Sequence, residues 1–176
     1  MSMEQITGNK DRRDRVRVTE GDLVIRTYEP RDRERVFELH TEGLRDTYSA
    51  LPVVDPVWDE DLRNVEAVYL GEGSHFWVVE EEGEVIGMVA VRRMDDDTAE
   101  LRRMRVAGSR RRQGLGQRLL ELAEEFCRRE GYRGIGLNTT DRQAAARRMY
   151  EKNGYVMEAA MPISPLTLFF YRKELE

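Results

Sequence analysis

Met104-Arg105-Val106-Ala107-Gly108-Ser109-Arg110-Arg111-Arg112-Gln113-Gly114-Leu115-Gly116 runs from a strand through an arginine-rich turn into a helix. On its N-terminal side, Leu101, Arg103 and Arg105 alternate with Arg102, Met104 and Val106, which is a strand pattern. On its C-terminal side, Leu115, Leu119, Leu122, Ala123 and Phe126 recur at helical spacing until Gly131. Gly114 and Gly116 carry no Cβ to hold a ligand off the backbone. A helix that starts there offers N–H groups without intrahelical partners and the positive end of its dipole. Together these features bind a pyrophosphate, and neighbouring arginines add charge-assisted contacts. A Gly-x-Gly before a helix is also an ordinary tight turn. The P-loop spacing is missing, as is the third glycine of a dinucleotide fingerprint.

Working outward, Leu23-Val24-Ile25-Arg26 reads as the first strand and Pro30 opens a helix with Val36, Leu39, His40, Gly43 and Leu44 inward. Pro52 and Pro56 interrupt the chain. Trp58 to Leu70 reads as a second helix with Leu62, Val65 and Tyr69 inward. Phe76 to Val79 and Val85 to Val91 form a hairpin around a Gly83 turn, and Glu100 to Val106 is the next strand. After the long helix come a strand at Arg133 to Thr139 and a helix at Gln143 to Lys152, stopped by Asn153-Gly154. Strands at Tyr155 to Glu158 and Leu166 to Arg172 complete the set. The order β-α-α-β-β-β-α-β-α-β-β is that of a single α/β domain with a mixed sheet flanked by helices.

The 176 residues are 36% charged, with both signs interspersed and a formal net charge of -5, which argues against a general nucleic-acid or anionic-membrane binder. The single cysteine, Cys127, excludes an intrachain disulfide and fits a reducing, cytoplasmic setting. No apolar run approaches the roughly 20 residues of a membrane span. Residues 1–20 read as a disordered polar arm and residues 21–176 as the domain.

A second stretch decides between the readings of the turn. Gln143-Ala144-Ala145-Ala146-Arg147-Arg148-Met149-Tyr150-Glu151-Lys152-Asn153-Gly154-Tyr155 is similar to the Asn-x-x-Ala-x-x-Leu-Tyr-x-x-x-Gly-Phe segment of the GCN5-related N-acetyltransferase (GNAT) superfamily. Val106 to Gly116 resembles that family's Arg/Gln-x-x-Gly-x-Gly/Ala signature, and the strand order matches too. The resemblance covers about Leu23 to Leu175. Within the family, His75 to Val79, Glu84 to Val89 and Glu100 to Met104 look like the camello-type branch, which includes N-acetylaspartate synthase. That branch's apolar membrane hairpin is missing here, where the Asp46 to Asp59 region carries two prolines and charges.

The resemblance implies a centrally splayed sheet, acetyl-CoA as cosubstrate, no metal, and direct acetyl transfer to a primary amine of a small molecule such as an amino acid. Peptide acceptors, or a non-catalytic acetyl-CoA sensor, are the alternatives. It assigns Met104, Arg105 and Val106 to the pantetheine arm and the thioester carbonyl. Arg111, Arg112, Gln113, Gly114, Leu115 and Gly116 fall on the pyrophosphate. Arg112 stands where the family often has glycine, which an arginine tolerates at negative φ. Gln143 takes the place of an asparagine that contacts the cofactor. Tyr150 matches the tyrosine that protonates the departing thiolate. Asn138 stands where some members carry a basic carboxylate, so the candidate base is Glu100; a carboxylate paired with Arg102 or Arg103 is the competing reading.

His40 and His75 read as structural. The acceptor pocket is expected from the Leu44 to Leu62 segment, the hairpin after Val79 and the Met157 to Leu166 loop, with Arg45, Arg92 and Arg102 as candidates for an acceptor carboxylate. No nucleic-acid or membrane partner is expected. An arginine-based nucleic-acid role for Arg102, Arg103, Arg105 and Arg110 to Arg112 is the outlying alternative, and Leu166 to Tyr171 is the candidate strand for pairing two copies.

Overall fold

The computed structural model describes residues 17–20, 22–48 and 59–176. Eight strands form one sheet: β1 (Arg17–Glu20), β2 (Leu23–Thr27), β3 (His75–Glu81), β4 (Glu84–Arg93), β5 (Thr98–Val106), β6 (Gly134–Thr140), β7 (Val156–Ile163) and β8 (Leu166–Glu174). Their spatial order is β1-β2-β3-β4-β5-β6-β8-β7. Every neighbouring pair is antiparallel except β5 with β6. A parallel pair needs a long crossover, and here the helix α4 (Leu115–Glu130) supplies it. The remaining helices are α1 (Arg33–Thr47), α2 (Glu60–Arg63), α3 (Val65–Tyr69) and α5 (Ala144–Lys152).

β1 lies ahead of the expected first strand: residues 17–20 pair with 23–26. The second helix is split at Asn64 into α2 and α3, although Leu62, Val65 and Tyr69 all point inward as the pattern requires. The expected helix start at Trp58 lies outside the described residues, as do Pro52 and Pro56. β8 lies between β6 and β7, so it offers no free edge; β7 is the edge strand.

Alternation along β3 sorts the helices onto two faces. Phe76 stacks edge-on against Tyr28 and Tyr69, whereas its neighbour Trp77 packs against Phe126 of α4. α3 and α4 therefore cover opposite faces of the sheet. The apolar stripe of α4 is buried at Leu115, Leu119, Leu120, Ala123, Phe126 and Cys127. The helix ends at Gly131, whose φ of 86° is the left-handed stop that glycine adopts without penalty. Burial pushes the Cys127 thiol up to about 12, so it stays protonated and packs as an apolar side chain.

Two departures from a regular sheet prepare the site. β5 pairs with β6 only from Thr98 to Glu100, opposite Gly134 to Gly136; beyond that β6 continues along β8 while β5 follows β4. The two strands open into a V. Within β5, Met88 faces Arg105 and Ala90 faces Arg102, so β5 carries one extra residue there. Arg103 sits in this bulge at φ 54°, and the expected strict alternation of Leu101, Arg103 and Arg105 is broken.

Candidate active site

The turn after β5 is held from both sides. Arg110 Nε donates to Glu81 Oε2 at 2.6 Å, at the end of β3. Arg111 donates to Asp46 Oδ2 at 2.7 Å and to the Val106 carbonyl at 3.2 Å, fastening the turn to the last turn of α1. The Gln113 amide donates to the Ser109 carbonyl at 3.3 Å. Gly114 then caps α4 at φ 85°, with no side chain in the capping position. The first intrahelical bond runs from Arg118 N to Gly114 O, so the N–H groups of Leu115, Gly116 and Gln117 precede it. A Cβ built on Gly114 would meet nothing within 4 Å, which leaves the approach to these donors open. Leu115 turns its side chain into the core, as expected.

Arg112 departs from expectation: its φ is 61°, left-handed, not negative. The chain is extended at Arg111, with φ -68° and ψ 156°, and must reverse before the Gly114 cap, so position 112 takes the conformation that glycine adopts freely. Left-handed backbone costs a non-glycine residue about 1–2 kcal/mol. Arg112→Gly should therefore raise the thermal midpoint by about 2–4 °C, since roughly 1 kcal/mol shifts a domain of this size by that much. A lower midpoint in a calorimetric scan would mean that the arginine side chain compensates for its backbone.

The V between β5 and β6 contains a cavity of about 340 Å³. It is lined by residues 101–105 of β5 and 137–140 of β6, by His40 and Leu44 of α1 and Tyr48 just after it, by Asp59, Gln143 and Tyr150, and by Ile163, Leu166 and Leu168 of the β7–β8 hairpin. The structure thus gathers Met104, Arg105, Gln143 and Tyr150 around one space. Tyr150 is buried, and burial pushes its phenol up to about 12 despite the opposing pull of the Arg105 guanidinium. The Gln143 side-chain oxygen is taken by the Thr139 hydroxyl at 2.5 Å. Gln117 and Asn153 exchange two 2.8 Å hydrogen bonds and a Cβ on Gly116 would stand 3.8 Å from Met149 Sδ, so α5 rests on the first turn of α4.

Glu100 is the last β5 residue paired with β6, at the apex of the V, and does not line the cavity. Its carboxylate accepts from Arg92 at 2.8 Å, Arg102 at 3.4 Å and Asn138 at 3.2 Å. The pairing with Arg102 matches the competing reading, but Arg103 binds elsewhere. Its Nε donates to Asp61 at 2.9 Å and its Nη2 also reaches Asp61, while Nη1 donates to Asp59 at 2.9 Å. Asp59 also holds His40 Nε2 at 2.9 Å. Burial alone pushes the Asp61 carboxyl up; the Arg103 fork, Tyr69 and Arg102 more than reverse that and leave it below its ordinary value.

This network was not legible in the sequence, because its members are far apart in the chain and each reads as a surface charge. The hairpin after Val79 does not line the cavity; its Glu81 anchors the Arg110 turn instead. Of the proposed carboxylate binders, Arg45 is exposed, Arg92 pairs with Glu100, and only Arg102 lines the cavity.

The family model of the acetyltransferase (GNAT) family matches residues 33–155. The chain belongs to the acetyltransferase (GNAT) family. The match runs from the start of α1 to Tyr155, three residues past α5, and takes in the turn, the V and Tyr150 but not the β7–β8 side of the cavity. As a GNAT domain it is 37% identical over 118 residues to N-acetylaspartate synthetase of Danio rerio, which covers 64% of this chain and 42% of the relative. It is 34% identical over 108 residues to N-acetyltransferase 8 of Homo sapiens, covering 58% and 48%. The alignments thus span less than half the length of these curated relatives.

Among solved structures, a GNAT acetyltransferase of Staphylococcus aureus superposes with a TM-score of 0.76 at 24% identity, over 88% of this chain and 99% of that one. The yncA protein of Salmonella typhimurium, solved with its cofactor acetyl-CoA, gives a TM-score of 0.72 at 25% identity, over 89% and 95%. The mixed splayed sheet is the fold of this family. Among the described residues no helix is long and apolar enough to cross a membrane.

Proposed function

We propose that the chain transfers the acetyl group of acetyl-CoA directly to the primary amine of a small molecule such as an amino acid. The observation that carries this reading is the V beside the α4 N-terminus, with Tyr150 facing its cavity. The residues fit the cofactor. The donors of residues 114–117 and the arginine-rich turn suit a pyrophosphate, and the β5 backbone freed from β6 suits an extended amide-bearing arm. When bound, acetyl-CoA supplies an acetyl group activated as a thioester.

The chain's own part is positioning and polarity. Backbone donors among Met104, Arg105 and Val106 stabilise negative charge growing on the carbonyl oxygen. Arg111, Arg112 and Gln113 orient the phosphate end, Gln143 borders the arm, and Tyr150 gives its proton to the departing sulfur. Glu100, outside the cavity and held by two arginines, takes the ammonium proton through water and not by direct contact. The names of the relatives support an amine acceptor.

A thiol-release screen across amino acids, polyamines and peptides tests this reading, with Gly114→Val as its control. Valine at φ 85° is strained, and relief of that strain moves the capping N–H groups. Acetyl-CoA affinity should fall about tenfold or more, since 1.4 kcal/mol is a factor of ten. An unchanged dissociation constant would remove the cradle from this turn. Tight acetyl-CoA binding without turnover on any amine would favour a sensor.

A further inference from the structure

Three arginines line the cavity, and they are not equivalent. Arg102 stands 3.6 Å from Asp61 and 3.4 Å from Glu100, and Arg103 is clamped between Asp59 and Asp61. Arg105 forms no ion pair with any carboxylate among the described residues. Its Nη1 donates to the Met104 carbonyl at 2.9 Å, and its Nε is shut off from solvent without a partner. The stem is pressed against α1 at Gly43, where an added Cβ would lie 2.8 Å from Arg105 Cδ. Any larger residue there would push the Arg105 side chain aside. Asp59 acts on it only from beyond ion-pair distance; because an enclosed charge without a hydrogen-bonded counter-ion is costly, an arginine held so needs a reason in what enters the cavity.

We propose that Arg105 is the specificity-determining residue of the acceptor site and binds a carboxylate carried by the amine substrate. The geometry favours the acceptor over the cofactor as the source of that anion. The phosphate donors lie past the turn at the α4 N-terminus, whereas Arg105 faces α1, Tyr48 and Tyr150. Tyr48 Oη and Thr140 Oγ1, hydrogen-bonded to each other at 2.5 Å, line the same space, and the pair keeps one hydroxyl proton to donate beside the guanidinium. A guanidinium presents a planar fork to a carboxylate, so it fixes orientation as well as charge. The same positive charge disfavours the ammonium form of a nearby amine, which must lose a proton before it can attack. This gives the carboxylate to Arg105 in place of Arg45, Arg92 and Arg102; the sequence reading had offered the Arg105 side chain only the outlying nucleic-acid role.

The proposal rests on the acetyltransferase reading above and is tested with matched acceptors: L-phenylalanine against phenethylamine, and L-leucine against isoamylamine. The protein should prefer the carboxylated member of each pair by about 10- to 100-fold in kcat/KM, the value of a charged hydrogen-bonded contact. Arg105→Gln should bring that ratio to within about threefold, and Arg105→Lys should keep part of it. The Gln variant removes an unpaired buried charge, so its melting midpoint should not fall. No preference in the wild type, or a preference that survives in Arg105→Gln, would overturn the assignment.

If none of the acceptors gives thiol release, the acetyltransferase reading fails separately. The site is then read by titrating N-acetyl-L-phenylalanine and N-acetylphenethylamine into the CoA-loaded protein. Tighter binding of the carboxylate, lost in Arg105→Gln, sustains the role of Arg105; equal binding of the two overturns it.

Discussion

Arg103→Ala is expected to lower folding stability by about 3–5 kcal/mol in urea melts, the range for removing one partner of a buried ion pair. Arg103, Asp59 and Asp61 all have side chains less than a tenth exposed. Without the guanidinium, Asp61 keeps only Tyr69 and the more distant Arg102, and Asp59 keeps His40. Relief of the left-handed backbone at φ 54° returns only about 1–2 kcal/mol, and alanine does not collect it fully because it also carries a Cβ. A loss below about 1 kcal/mol would show that the two carboxylates find other partners.

The pH dependence gives an independent check on the same network. Burial, helped by Arg105 and Arg103, lowers His40 from 6.5 to about 4, while Asp59 pulls the other way. Between those values the unfolded chain binds a proton that the folded chain refuses. Stability therefore rises with pH across that window and is lost as pH falls from 6.5 toward 4. Removing the Arg103 charge raises the folded value of His40, so the window should narrow from its acid side.

The elements that the sequence disclosed were those marked by period and punctuation. The α4 stripe ends where Gly131 says it should, Gly154 follows α5, and the β3–β4 hairpin turns at Gly83. The start of α4 was legible because it depends on glycine placement, which the sequence records directly. What stayed hidden depends on register and distance. The bulge at Arg103 breaks the alternation of β5, and no residue type announces it. Asp59, Asp61 and Arg103 are brought together by the bulge and by α2, 42 to 44 residues apart in the chain. The left-handed backbone at Arg112 was hidden for the opposite reason, since arginine is not a residue from which positive φ is inferred. Glu100 was legible as a carboxylate but not as the apex of the V, because the point where β5 leaves β6 is a matter of register that residue types do not record.

Tyr150→Phe should lower kcat by about 100-fold, the lower end of what a positioned acid contributes, while acetyl-CoA affinity stays within about twofold. The two effects separate because the ring and the hydroxyl do different things. The ring packs against Tyr155 and Tyr171, with centroids 5.7 and 6.5 Å away, and phenylalanine keeps those contacts. Tyr150 lines the cavity, and on the proposed mechanism phenylalanine leaves nothing there to protonate the departing thiolate. Burial raises the phenol from 10 to about 12, so it remains a proton donor to higher pH than an exposed tyrosine. Turnover should therefore show no loss through pH 10 that traces to this group. Above pH 10 the unfolded tyrosine releases a proton that the folded one keeps, so this residue's share of stability declines as pH rises toward 12. Phenylalanine has no proton to release and abolishes that decline. Equal kcat in wild type and variant would reject the acid role and leave Tyr150 as a wall of the cavity. A matched fall in kcat and in acetyl-CoA affinity would mean instead that the hydroxyl binds the cofactor.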